Sequence, residues 1–188
     1  EKAFQKRNIP GTSSLVRALK ASVHADAKKE EPFPIYFITA SPPLLEQRII
    51  EKLELDGIFP YGAFFKDNLK NIHPKRWRRL NQQVGYKVQA LLQLRLKLSE
   101  DVRQVMWGDD SESDTIIYSL YSDICARRYT LDELRKLLGA LKVTGKQVDV
   151  ILNLQSQIPM SDPVEKIYIN LAVDTDPEYY LKFGRRVV

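Results

Sequence analysis

An apolar run, Val105-Met106-Trp107, ends in Gly108, and Asp109, Asp110, Glu112 and Asp114 follow within a few positions. Short apolar runs stopped by a turn residue read as strands buried in a sheet. Acids just past such a strand lie at the carboxyl edge of the sheet, where open α/β sheets bind their ligands. Carboxylates crowded there repel one another unless a positive charge sits among them. A hard divalent cation such as Mg²⁺, which prefers oxygen ligands and keeps several waters, meets that need. An acidic turn capping the next helix is the competing explanation, because Asp and Ser favour helix starts.

The chain around this stretch is ordinary in bulk. At 188 residues, 44% hydrophobic and 28% charged, it reads as one domain over residues 1–188 with a core of its own. No apolar run approaches the roughly 20 residues of a membrane span. Glu1–Arg7 is not followed by the apolar segment of a signal peptide, and the absence of an initiating Met suggests a processed product or a fragment. The lone cysteine, Cys125, cannot close an internal disulfide, which suits a reducing, cytoplasmic setting, and its apolar surroundings make it a core residue. The net charge of +5 gives a mild attraction for phosphates, nucleic acid or acidic lipid.

In chain order, Ile9-Pro10-Gly11 reads as a turn, Ser13–Leu19 as a short amphipathic helix, and 21–34 as a polar surface loop. Ile35–Thr39, β-branched and aromatic, reads as a buried strand. Ser41 then suits an N-cap and Pro42 the first position of a helix over Leu44–Leu53. Thr39 and Ser41 therefore sit where a strand becomes a helix, a place where hydroxyls and exposed backbone N–H groups attract anions. Phe59–Phe65 holds a short strand. The segment 70–79 is the most basic part of the chain, with Arg76 and Arg79 flanking Trp77 and Arg78, and could face nucleic acid or lipid headgroups; a solvated helix face is the alternative.

Gly85-Tyr86-Lys87 reads as the opening of a helix through Leu98, which places Lys87 in a first turn that is already positive. A nearby phosphate or carboxylate cluster would justify a lysine there; an ordinary surface lysine is the alternative. Val102–Trp107 is the strand that delivers the acids, and Thr115–Ile124 a helix after them. Thr130-Leu131-Asp132-Glu133 is a capping box opening another helix. Residues 126–160 read as a helical excursion and Ile167–Leu171 as a last strand. Alternating strands and helices imply an α/β fold: a three-layer αβα sandwich on a mostly parallel, Rossmann-type sheet.

The order of these features resembles the haloacid dehalogenase-like (HAD-like) phosphohydrolases. Ile9-Pro10-Gly11, Phe37-Ile38-Thr39-Ala40-Ser41-Pro42 and Gly108-Asp109 through Asp114-Thr115-Ile116-Ile117-Tyr118 are similar to the catalytic domain of the actin-patch phosphatidate phosphatases and their bacterial relatives. The resemblance spans roughly residues 9–124 and the strand at 167–171. It implies a Mg²⁺-dependent phosphatase acting on a phosphate monoester. Thr39 would hydrogen-bond the phosphoryl group with Ser41 beside it, Lys87 would neutralise charge, and Asp109, Asp114 and, less directly, Asp110 would hold the Mg²⁺. Phosphoryl transfer is chiefly positioning and charge neutralisation, so these residue types suit it.

One motif of the family is absent. Its nucleophile lies in an Asp-x-Asp-x-Thr strand before the Pro-Gly turn, and residues 1–8 contain no Asp. That strand is central, so its loss is expected to split the sheet and leave unpaired edges. The sequence is accordingly expected to be part of a longer chain or to receive the strand from elsewhere. The leading expectation is a phosphatase with little or no cap over its site, open to a phosphorylated small molecule or a lipid phosphate. Arg76 and Arg79 would then meet substrate or an anionic membrane surface. The alternative is a catalytically inactive module that holds phosphate or a partner. Nucleic acid binding through 70–79 is a third and weaker reading.

Overall fold

The computed structural model describes residues 11–26, 33–66, 81–110, 113–172 and 174–188. The chain mixes helices with short parallel strands and divides into two compact units, Glu1–Ile72 and His73–Val188. The four strands form two separate two-stranded sheets: β1 (Tyr36–Thr39) pairs with β2 (Gly62–Phe65), and β3 (Gln104–Asp109) with β4 (Val164–Asn170), each pair parallel. An α/β composition is thus observed, and the described strands lie in two separate pairs.

In the first unit, α1 covers Thr12–Asp26. The helix expected to stop at Leu19 runs on through part of the segment read as a loop, because no Gly or Pro interrupts residues 12–26. Its Val16 is buried, and the Ser13 hydroxyl donates to the Asp56 carbonyl at 2.8 Å. After β1 the helix starts one residue later than expected. Pro42, not Ser41, is the extended N-cap, Pro43 takes the first position of a 3-10 turn over Pro43–Leu45, and α2 follows over Glu46–Leu55. Gly57, at φ 76°, turns the chain toward β2.

The second unit is built on α3 (Asn81–Arg95), which packs against α4 (Asp114–Cys125) and α6 (Gly145–Gln157). Gly85 is not the start of this helix but its fifth residue. A Cβ there would lie 2.9 Å from Val143 Cγ1 and 2.8 Å from Gln147 Oε1, so glycine is required for the approach of α6. Val88, Leu92, Ile117, Ile124, Leu134, Leu138 and Ile151 are fully buried, and Cys125 joins them. Burial pushes the Cys125 thiol up to about 12, which makes it unreactive. The expected excursion is α5 (Leu131–Ala140), opened by the Thr130–Glu133 capping box, followed by α6. β3 is half-buried rather than buried: Met106 is covered while Val105 is 37% exposed.

A polar network ties the start of β4 to α4. Asp162 accepts from Ser122 Oγ at 2.9 Å, Arg128 at 2.6 Å and the Val164 N–H at 3.0 Å. Arg128 and Arg186 both reach Asp123 as well. Burial alone would raise the Asp162 carboxyl, but the bonds from Arg128, Ser122 and Val164 outweigh it and leave the carboxyl below its ordinary 3.8. A carboxyl depressed on folding stabilises above its unfolded pKa, and that stabilisation is lost as pH falls through the folded value. The urea midpoint of the native protein should therefore fall between about pH 5 and pH 2, and Asp162→Asn should flatten that fall.

Candidate functional site

The residues singled out by the sequence fall into two groups, one in each unit. In the first unit, β1 delivers Thr39 to the carboxyl end of the β1–β2 pair, opposite Phe65. The Thr39 hydroxyl donates to Ser41 Oγ at 3.0 Å and accepts the Ser41 N–H at 3.1 Å. The two hydroxyls thus form one compact polar pair at the mouth of the helical turn. The Lys66 N–H donates to the Ser41 carbonyl at 3.2 Å, which brings a third polar residue to this edge. Burial lowers the Lys66 ammonium pKa. The sequence signal for Lys66 is a lysine directly after an apolar strand.

In the second unit, Lys87 and Asp114 meet in an ion pair of 2.5 Å, with Lys87 3% and Asp114 6% exposed. Lys87 is the seventh residue of α3, so the expected clash with a helix N-terminus does not arise. The buried carboxylate of Asp114 is the reason for a lysine at this position. Asp114 opens α4 at its first turn, where the helix dipole favours a negative charge. Gly108 makes room for it: a Cβ at 108 would lie 2.5 Å from Asp114 Cβ and 2.8 Å from Asp114 Cγ. The glycine that ended the apolar run is therefore a packing requirement, and it lies within β3 rather than in a turn after it. Tyr118 fastens the same helix to the strand by donating to the Trp107 carbonyl at 3.0 Å.

Asp109 is the last residue of β3, in register with Asn170 of β4. Asp110 follows, and its carboxylate accepts the Ala172 N–H at 2.8 Å together with the Thr175 hydroxyl. These bonds, the one from Thr175 first, hold its carboxyl below the usual range. The acids that looked like one cluster thus have separate partners. Among the described residues no group of three or more His, Cys, Asp or Glu gathers in metal-binding geometry. The donors still suit Mg²⁺ in kind, because a Mg²⁺ site needs only one or two carboxylates with waters completing the shell. Asp109 and Asp114 could supply those two. Arg76 and Arg79 lie outside the described residues, as do Trp77 and the rest of 67–80.

No family model, no curated protein and no solved structure matches the chain. No helix among the described residues is long and apolar enough to cross a membrane.

The ion pair makes a stability prediction. Lys87→Met removes the cation from a buried carboxylate and should cost about 3–5 kcal/mol in urea unfolding, whereas Lys87→Met combined with Asp114→Leu should recover most of that loss. Gly108→Ala should cost about 1–3 kcal/mol by the same measurement, through overpacking against Asp114.

Proposed function

We propose that the chain is the greater part of a Mg²⁺-dependent phosphatase centre of the haloacid dehalogenase-like type, acting on a phosphate monoester such as a lipid phosphate. The observation that carries this reading is the buried Lys87–Asp114 pair, seated against Gly108 directly beside Asp109. A lysine, a strand-terminal acid and a helix-opening acid in this order serve charge neutralisation, the main requirement of phosphoryl transfer. Mg²⁺, held by Asp109 and Asp114, would offset phosphate charge. Lys87 orients Asp114 through their ion pair; the Thr39–Ser41 pair, in the other unit, offers hydroxyls of the kind that donate to phosphoryl oxygens. In this reading the fold is a three-layer αβα sandwich, and a further strand brings the nucleophile. The edge of β3 away from β4 is where such a strand would pair. Membrane contact through Arg76 and Arg79 belongs to the same proposal.

The second reading is a module that binds phosphate without turning it over. It is favoured by one fact: the given sequence contains no Asp-x-Asp-x-Thr.

Calorimetry with inorganic phosphate, with and without Mg²⁺, tests the shared part of both readings. Binding should depend on Mg²⁺ and weaken at least tenfold in Asp109→Asn; no Mg²⁺-dependent binding at millimolar phosphate would refute both. Turnover of a generic aryl phosphate by the protein, abolished by Asp109→Asn, separates the enzyme from the binding module.

A further inference from the structure

The chain beyond β4 folds back on the second unit and presents a short helix to solvent. It leaves the sheet tied to Asp110, whose carboxylate accepts from the Ala172 N–H and the Thr175 hydroxyl. The Asp176 side chain accepts the Glu178 N–H at 2.9 Å and opens a 3-10 helix over Pro177–Phe183. Gly184, at φ 77°, turns the chain back. Residues 186–188 then run parallel to β4: the Ile167 N–H donates to the Arg186 carbonyl at 2.7 Å, and the Ile169 N–H to that of Val188 at 3.0 Å. The helix is thus held at both ends by packed structure.

A 3-10 helix has three residues per turn, so its side chains fall on three sides. Tyr180 and Phe183 share the half-buried side, with ring centroids 6.2 Å apart. The other two sides are open. Tyr179, 57% exposed, shares one with Lys182, whose ammonium stands 3.4 Å from the ring centroid. Leu181 lies on the third and is 76% exposed. Exposed Arg185 follows the turn, and the Lys166 ammonium donates to the Arg185 carbonyl at 3.2 Å. Arg186 is spent on Ser122 and Asp123. Among the described residues no carboxylate pairs with Lys166, Lys182 or Arg185. Glu178, the helix's own acid, stands in its first turn, at the end away from Gly184.

We propose that residues 179–185, with Lys166 beside them, are a contact site for an anionic bilayer surface: Leu181 and Tyr179 enter the headgroup region, and Lys166, Lys182 and Arg185 meet the negative lipid groups. Charge complementarity calls for an anionic partner, and the exposed leucine for one that admits an apolar side chain. Nucleic acid offers Leu181 nothing. Two apolar side chains are too few for the roughly 800 Å² that each partner of a standard protein interface contributes, whereas a lipid surface takes them singly. Tyrosine suits the boundary because one end of its ring is apolar and the other polar. Lysine suits it because the stem lies along apolar surface while the charged head stays in water, as Lys182 already does on Tyr179. The inference depends neither on the phosphatase reading nor on Arg76 and Arg79.

The test is sedimentation of the full chain with phosphatidylcholine vesicles, with and without phosphatidylserine, in EDTA. Native protein should bind the vesicles that contain phosphatidylserine and leave them as salt rises. Each cation near such a surface is worth about fivefold, so Lys182→Gln with Arg185→Gln should weaken binding at least about tenfold. Leu181→Ser should weaken it about tenfold and Leu181→Phe should keep it. The same losses should appear in a chain already carrying Arg76→Gln and Arg79→Gln, which isolates this site from the basic segment 70–79. The replaced side chains at 181, 182 and 185 are exposed, so these variants should keep the native urea midpoint. No binding of the native protein to phosphatidylserine vesicles, or full retention in either Leu181→Ser or the Lys182–Arg185 double variant, would overturn the inference. Binding that follows the two cations but not Leu181, and that single-stranded RNA shares, would point to nucleic acid and overturn it as well. None of these outcomes bears on the phosphatase reading, because both lipids are phosphodiesters and EDTA removes Mg²⁺.

Discussion

The buried contact between Lys87 and Asp114 constrains the second unit more than any other single interaction. Each charge is almost fully removed from water, and neither would be tolerable there alone. Their meeting fixes the register of α3 on α4, because Lys87 must arrive one turn before the apolar face formed by Leu91 and Leu94. It also fixes α4 on β3, since Asp114 is accommodated only where residue 108 has no side chain. Tyr118 and Tyr121 then continue the same seam down the helix, donating to the Trp107 carbonyl and to Gln104. Helix, strand and ion pair are thus one arrangement.

Much of the fold could be read from local pattern, and the misreadings share a cause. The strand at 36–39, the last strand (expected over Ile167–Leu171 and found over Val164–Asn170), the Thr130 capping box and the buried Cys125 followed from β-branched runs, a four-residue signature and apolar neighbours. Errors arose where tertiary packing overrode a local signal. Gly85 looked like a helix start because isolated glycine is poor within helices. It sits inside α3 where the Val143 and Gln147 side chains close over it. The end of α1 was misplaced because a polar helix without strong periodicity resembles a loop. On the candidate site, the nearness of Lys87 to Asp114 was foreseeable only as a general need for a lysine near acids. Asp110's bonds to Ala172 and Thr175, more than sixty residues away, left no trace in the sequence near Asp110.

The two parallel strand pairs need support that neither supplies by itself. Parallel pairing is slightly weaker per residue than antiparallel pairing, and isolated two-stranded sheets are marginal. In the second unit that support comes from α4, which packs on both β3 and β4, and from residues 186–188, which run along the β4 edge. Arg186 serves both roles, as its carbonyl extends the sheet while its guanidinium joins the Asp123–Asp162 network at the opposite end from the acids. The amino end of this sheet is therefore the anchored end. Its carboxyl end, where Asp109 lies, is held by the bonds of the Asp110 carboxylate to Ala172 and Thr175.

That division explains why an acidic run in sequence is not an acidic cluster in space. Asp109 closes β3, while the adjacent Asp110 lies past the strand with its carboxylate on Ala172 and Thr175. Asp114 is carried away again by the start of α4 and drawn under Gly108 toward Lys87. Three neighbouring carboxylates are thereby divided among a strand terminus, the chain at Ala172 and Thr175, and a buried ion pair. Had they converged without a cation, their mutual repulsion would have opposed folding; dispersed, each has a distinct electrostatic environment. In the proposed reading a cation at this edge would be held by few carboxylates and by water, the mode Mg²⁺ favours.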